Sequence, residues 1–279
     1  MEKVETMLAE KEPGTPQAPE FYVRFNVRQR LEHFFVMFLF LVLAVTGLPQ
    51  KFYQASWAQW IILFLGGIDW VRIIHRVSGI LFAFLGVVHL GMILVGVLLG
   101  RIKPILIPTL KDFRDAVQQL RYHVGLTDEH PRFERYDYKQ KFEYWGLVFG
   151  GMVMITTGFI LYLPNLATRY LTGELIPAAK VAHSNEGLLA FLVVIIWHMY
   201  GTHFNPDVFP MDTSIFTGKI SRERMLHEHP LELLRISAGS PEEMEPGRDG
   251  AHEQRATASP AAERQSANAP DRAKEITPG

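Results

Sequence analysis

Four stretches of 18 or more mostly apolar residues constrain this chain more than any other feature. They cover about residues 31–48 (LEHFFVMFLFLVLAVTGL), 73–99, 142–163 (FEYWGLVFGGMVMITTGFILYL) and 181–203. A run of that length matches the hydrocarbon thickness of a bilayer when helical. In lipid each backbone N–H and C=O must be satisfied within its own segment, so each stretch is predicted to be a spanning helix. The charged residues inside them, Glu32, Arg76, Glu143 and Glu186, fall within a few residues of a predicted end, as the cost of burying charge in lipid requires.

The spans divide the sequence into a polar N-terminal tail (1–30), a membrane domain (31–203), a C-terminal segment (204–236) and a tail (237–279). The tail from Ser237 has no aromatic residue, Leu or Val and is expected to be disordered. Between the first two spans, Trp57–Ile68 is apolar but too short to cross, and reads as an interfacial segment with Trp57, Trp60 and Trp70 at headgroup depth. Pro108–Leu126 in the next connector reads as an amphipathic helix lying on the membrane. Lys and Arg crowd the N-terminal tail and this second connector, whereas the first connector has only Lys51 and Arg72 and the third only Arg169 and Lys180. That asymmetry predicts cytoplasmic termini. The N-terminal stretch lacks a basic-then-apolar leader pattern, so the first span is expected to be an uncleaved anchor.

A formal net charge of −1 gives no basis for nucleic-acid binding. With no cysteine, the chain itself cannot hold a thiolate-ligated cluster, a disulfide or a covalently attached haem. Any cofactor is then expected to be non-covalent and held by His or Met, and it is the histidines that form a pattern. His75 and His89 lie 14 residues apart on the second span, and His183 and His198 lie 15 apart on the fourth. Those spacings separate the members by about 21–22 Å along a helix axis, with rotations of only about −40° and +60°. Each pair therefore keeps to one face and reaches two membrane depths, an arrangement suited to two stacked cofactors. Depth matches His75 with His183 near the outer surface. At the inner level His198 is matched by either His33 on the first span or His89, with depth slightly favouring His89. His203 ends the fourth span, rotated about 140° from His198. His123, His130, His227, His229 and His252 lie outside the spans and are expected at the surface.

Imidazole also suits zinc, copper and nickel, so a metal-ion transporter using the same residues is a rival reading. A plain membrane anchor with packed histidines is another, and a transmembrane reductase without a quinone site is a third.

Five motifs follow one another from about Phe21 to Ile236: RQRLEHFF…LAVTG, IIHRVSGILF, YDYKQKFEYWG…TTG, VAHSNEG…WHMYGTHF and EHPLELLR. In that order and spacing they resemble the cytochrome b (γ) subunits of respiratory formate dehydrogenases, nickel–iron hydrogenases and thiosulfate reductases. The resemblance implies an all-α four-helix membrane bundle with two b-type haems. His75 and His183 would hold the outer haem, and His33 and His198 the inner one. His89 would then orient a ligand, belong to a quinone site, or hold a third haem with a residue such as His203. The family's quinone pocket coincides with Asp137 and Lys139, where formate dehydrogenase subunits have Asn and Gly; Asp137 is the preferred proton donor. The fourth span departs from the family spacing by one residue, which points to a local bulge. Arg24, Arg28, Arg30 and Arg76 are candidates to pair with haem propionates.

The resemblance further implies electron transfer between an outer redox subunit, an iron–sulfur or multihaem protein, and the membrane quinone pool. It implies a bacterial or archaeal cytoplasmic membrane. Catalysis on the outer substrate would belong to another subunit.

Overall fold

The computed structural model describes residues 20–206 and 208–238. It is mostly helical, and four of its helices are long and apolar enough to cross a membrane: α1 (Val27–Lys51), α3 (Ile68–Leu98), α5 (Tyr138–Tyr162) and α7 (Leu175–Leu192). The last continues through two π-helical stretches, Val193–His198 and Tyr200–Phe204. Between the spans lie α2 (Ser56–Phe64), α4 (Leu110–His123) and the short α6 (Pro164–Tyr170). Strand β1 (Phe21–Val23) precedes the bundle; α8 (Ser214–Thr217), β2 (Lys219–Ser221), α9 (Arg222–Glu228) and α10 (Pro230–Ser237) follow it.

The spanning helices begin several residues before their apolar stretches, because polar caps extend them. Asn26 accepts from the Gln29 backbone N–H at 2.9 Å, while the Gln29 side chain accepts from Asn26 N at 3.0 Å. Asp137 and Gln140 form the same reciprocal cap on α5, at 2.8 and 3.2 Å. Such a cap contributes about 1 kcal/mol to its helix.

The most extensive packing is α1 on α3 and α5 on α7; α1–α7 and α3–α5 contacts close the ring. Large apolar side chains, including Phe38, Leu41, Phe84, Val87, Phe149 and Ile196, point outward. That inverts the pattern of a water-soluble bundle and suits a lipid solvent. The interfacial segment is helical, with Trp57 and Trp60 exposed. Gly66 and Gly67, at φ of +90° and +100°, turn the chain from α2 into α3, a conformation that side chains disfavour.

The amphipathic α4 is also present, capped by Thr109 and Asp112. Asp112 receives Lys141 Nζ at 2.8 and 2.9 Å, which ties α4 to the first turn of α5. Burial works to raise the Asp112 pKa, but hydrogen bonds from Lys141 and Thr109 outweigh it and hold the carboxyl below its ordinary range.

The C-terminal segment folds back on the start of the chain. β1 and β2 pair antiparallel, Tyr22 opposite Ile220, over a small core of Tyr22, Ile220, Met225 and Leu233. Gly218, at φ +79°, offers its carbonyl to Arg24 N at 2.7 Å and Phe25 N at 3.1 Å. Beneath this cap Glu232 receives Arg24 Nη1 at 3.3 Å and Arg135 Nη1 at 2.8 Å. Both α1 and α5 start at this end, here called the cap end.

Two expectations need correction. His229 is not a surface residue: it is 3% exposed, with Nδ1 donating to the Glu134 carbonyl at 2.7 Å. Burial first, then the Arg24 guanidinium, push its pKa down to about 3. Glu186 also sits deeper than the predicted boundaries imply. Helix α7 starts at Leu175, and the Glu186 carboxylate packs against Gly150, midway along α5. The expected disorder beyond Ala238, like His252, lies outside the described residues.

Candidate functional site

Histidines meet at two levels of the bundle. At the far end, His75 on α3 and His183 on α7 face each other with ring centroids 6.2 Å apart and planes at 80°. At the cap end, His33 on α1 and His198 on α7 are also 6.2 Å apart, at 36°. Of the two inner alternatives, the structure brings His33, not His89, against His198. The extra residue between His183 and His198 is taken up by the π-helical stretch Val193–His198, which ends at the second histidine.

The partners of His75, His183 and His198 fix which nitrogen of each ring is free. Thr46 has a single hydroxyl hydrogen, and it donates to the Val42 carbonyl at 2.6 Å. Its oxygen therefore accepts from His75 Nδ1, 2.9 Å away. Thr157 repeats this, donating to Val153 O at 2.6 Å and accepting from His183 Nδ1 at 3.0 Å. At the cap end the Glu143 carboxylate accepts from His198 Nδ1 at 2.9 Å. In each case Nδ1 carries the proton and Nε2 keeps its lone pair, the form in which imidazole ligates a metal. A Cβ built on Gly47 would stand 3.0 Å from the His75 ring, and one on Gly158 3.2 Å from the His183 ring. These glycines let each ring lie against a helix backbone.

The two helical hairpins repeat one another. RFNVRQRLEH at 24–33 lines up with RYDYKQKFEY at 135–144, and without a gap Thr46-Gly47 falls on Thr157-Gly158. On α3 and α7, His75-x-x-x-Gly79 matches His183-x-x-x-Gly187, and His89 matches His198 once the π-helical residue is allowed for. The contacts repeat as well. Glu32 Oε2 holds His89 Nδ1 at 2.9 Å, as Glu143 holds His198. Arg24 and Arg135, equivalent in sequence, converge on one Glu232. The far-end pair joins two equivalent residues across this pseudo-two-fold relation. The cap-end pair joins His33 to His198, and its counterpart is Tyr144 facing His89, with centroids 6.1 Å apart.

Thr46, Thr157, Glu32 and Glu143 were not read from the sequence as partners of the histidines. The signal that finds them is this repeat, since the E-x13-T-G pattern recurs on both hairpins.

The remaining candidates have other partners. Asp137 caps α5, and Lys139 Nζ lies 3.7 Å from its carboxylate. Arg24 is buried against Glu232, and Arg28 pairs with Glu32 at 3.2 Å. Arg30 donates to Thr217 O at 2.8 Å, and Arg76 lies over the Tyr162 ring. The ring of His203 neighbours Phe204, not His89.

An imidazole nitrogen lies roughly 1.1 Å from its ring centroid and about 2.0–2.1 Å from a bound first-row metal ion. Two rings facing one ion end-on thus have centroids about 6.3 Å apart. Both His–His pairs match that spacing, and His75, His183 and His198 each have Nε2 available. A bare ion of the zinc type takes four ligands, and among the described residues no group of three or more His, Cys, Asp or Glu is placed to hold one. A metal that brings its own equatorial ring needs only the two axial nitrogens that each pair offers. No protein-family model and no curated protein matches the chain.

Proposed function

We propose that this chain is a di-haem cytochrome b, the membrane electron-transfer subunit of a quinone-linked oxidoreductase of the formate dehydrogenase and hydrogenase type. One observation carries the reading: two imidazole pairs at metal-bridging separation, at two levels, neither joined by a third His, Cys, Asp or Glu ligand among the described residues. Their levels differ by about 21 Å, the rise over the residues from Glu32 to Thr46. These four histidines would hold two b-type haems, which would supply one-electron transfer.

The residues of the chain do the rest. His75 and His183 provide the far-end ligands, held by Thr46 and Thr157. His33 and His198 provide those at the cap end, with the Glu143 carboxylate making His198 a stronger donor. Gly47 and Gly158 keep the far-end rings close to the helix backbones. Quinone exchanges near the cap end, which the distribution of Lys and Arg assigns to the cytoplasm. Asp137 and Lys139, at the start of α5, stand where protons reach that site. The outer partner is a redox subunit at the far end, an iron–sulfur or multihaem protein, in a bacterial or archaeal cytoplasmic membrane. The pairing in twos, rather than threes or fours, favours this reading over a metal-ion pathway.

The test is a haem count per polypeptide by pyridine haemochrome on the purified full chain. Two haems are expected in the wild type and one in His33→Ala. His89→Ala is expected to retain two. Absence of haem after expression with ample haem supply overturns the proposal.

A further inference from the structure

The pseudo-two-fold relation gives the cap end two equivalent clefts, and only one is occupied by a His–His pair. We propose that the second, between His89 and Tyr144, binds the quinone ring; this rests on the quinone-linked reading above.

The two clefts share helices. On α1, Glu32 holds His89 while its neighbour His33 faces His198. On α5, Glu143 holds His198 while its neighbour Tyr144 faces His89. A ring in the second cleft therefore lies one residue along the same helices from the first pair.

His89 is prepared in the same way as the three other spanning-helix imidazoles with Nδ1 partners. Glu32 accepts from its Nδ1, so Nε2 keeps a lone pair. What it faces is different. Tyr144 Oη is 3.5 Å from His89 Nε2. An ion bonded to both atoms from opposite sides would need about 4 Å between them, more than the 3.5 Å here, whereas one oxygen at the edge of a quinone ring, set beside the pair, lies within hydrogen-bond reach of both. As a hydrogen bond 3.5 Å is at the long limit, so both groups are poorly satisfied by each other. Together they offer one O–H donor and one nitrogen acceptor. A quinone carbonyl accepts from the former, and a quinol hydroxyl donates to the latter.

Access fits an apolar ring. The His89 side chain is 31% exposed. Its neighbours on α3, Val87, Val88 and Leu90, are apolar and exposed, within a helix long and apolar enough to cross a membrane. A quinone diffusing in the bilayer reaches this cleft without crossing water. Asp137 lies two helical turns from Tyr144 toward the cap end, about 10 Å along α5.

The experiment titrates full-length protein with a fluorescent hydroxyquinoline N-oxide, a quinol analogue, and follows quenching alongside the haem count. Wild type is expected to bind it. Tyr144→Phe and His89→Leu are each expected to weaken binding roughly tenfold, the loss of one hydrogen bond to a ligand, with haem count and spectrum unchanged. Binding equal to wild type in both variants overturns the assignment of this cleft. So does loss of a haem in Tyr144→Phe, which would give the cleft to a macrocycle. A wild type that holds two haems but binds no analogue refutes the quinone-linked reading, whereas a wild type without haem refutes the cytochrome reading.

Discussion

The α1–α3 and α5–α7 hairpins share one plan: an Asx-capped start, a carboxylate one turn and a half in, a Thr-Gly near the far end, and two histidines on the returning helix. The first hairpin has His33 next to its carboxylate, and the second has Tyr144. At the far end, where the two are alike, the His75–His183 pair joins equivalent residues. At the cap end the single difference splits two equivalent positions into a His–His pair and a His–Tyr pair. The two hairpins share one scaffold, and His33 in one against Tyr144 in the other gives their cap-end positions different side chains.

Exchanging the two residues should break this most severely. In the double variant His33→Tyr with Tyr144→His, the ligand pair should move to the other hairpin's cleft. Haem content is then expected to depend on His89 and no longer on His198, a full reversal of the wild-type pattern. Continued dependence on His198 would show that the clefts are not equivalent.

The two carboxylates sharpen the comparison. Glu143→Gln should raise the midpoint potential of the cap-end haem by tens of millivolts, because a carboxylate on Nδ1 makes the imidazole a stronger donor. Glu32→Gln should leave that potential nearly unchanged and weaken quinol-analogue binding instead. Potentiometric titration of both variants measures the difference.

A smaller effect is expected where the hairpins meet under the cap. The His229 pKa is depressed from 6.5 to about 3, so the folded cap keeps His229 neutral. Below pH about 6.5 the detached cap takes up a proton that the folded cap refuses. Its stability is therefore full above that pH and falls toward pH 3, by at most about 1.4 kcal/mol per unit. Hydrogen-exchange protection factors in β1 and α10, corrected for the intrinsic pH dependence of amide exchange, should fall as pH drops from 7 to 5, and His229→Gln should remove most of that dependence.

Much of the bundle was legible in the sequence, because lipid imposes length and composition on each span. Hydropathy locates the lipid-embedded part of a helix only, so the caps at Asn26 and Asp137 and the depth of Glu186 were missed. The far-end pair followed from depth alone, since only His75 and His183 reach that level. The cap-end pair did not. Depth slightly favoured His89 and only the family resemblance pointed to His33, because the choice depends on how α1 and α3 are rotated within the bundle. The internal repeat carries that information: Glu32 matches Glu143, which assigns His89 the role of counterpart to His198. The three-residue strands β1 and β2 are too short to show an alternating pattern, so the folded-back cap, with His229 inside it, had no local signal.

Low-temperature electron paramagnetic resonance of the oxidised full-length protein tests the central claim most directly. Two low-spin ferric signals are expected. The 80° and 36° ring-plane angles predict that the far-end signal is the more anisotropic and the cap-end signal more rhombic. The first should vanish in His75→Ala and the second in His33→Ala. A spectrum without low-spin haem, or one that neither substitution alters, would contradict the account.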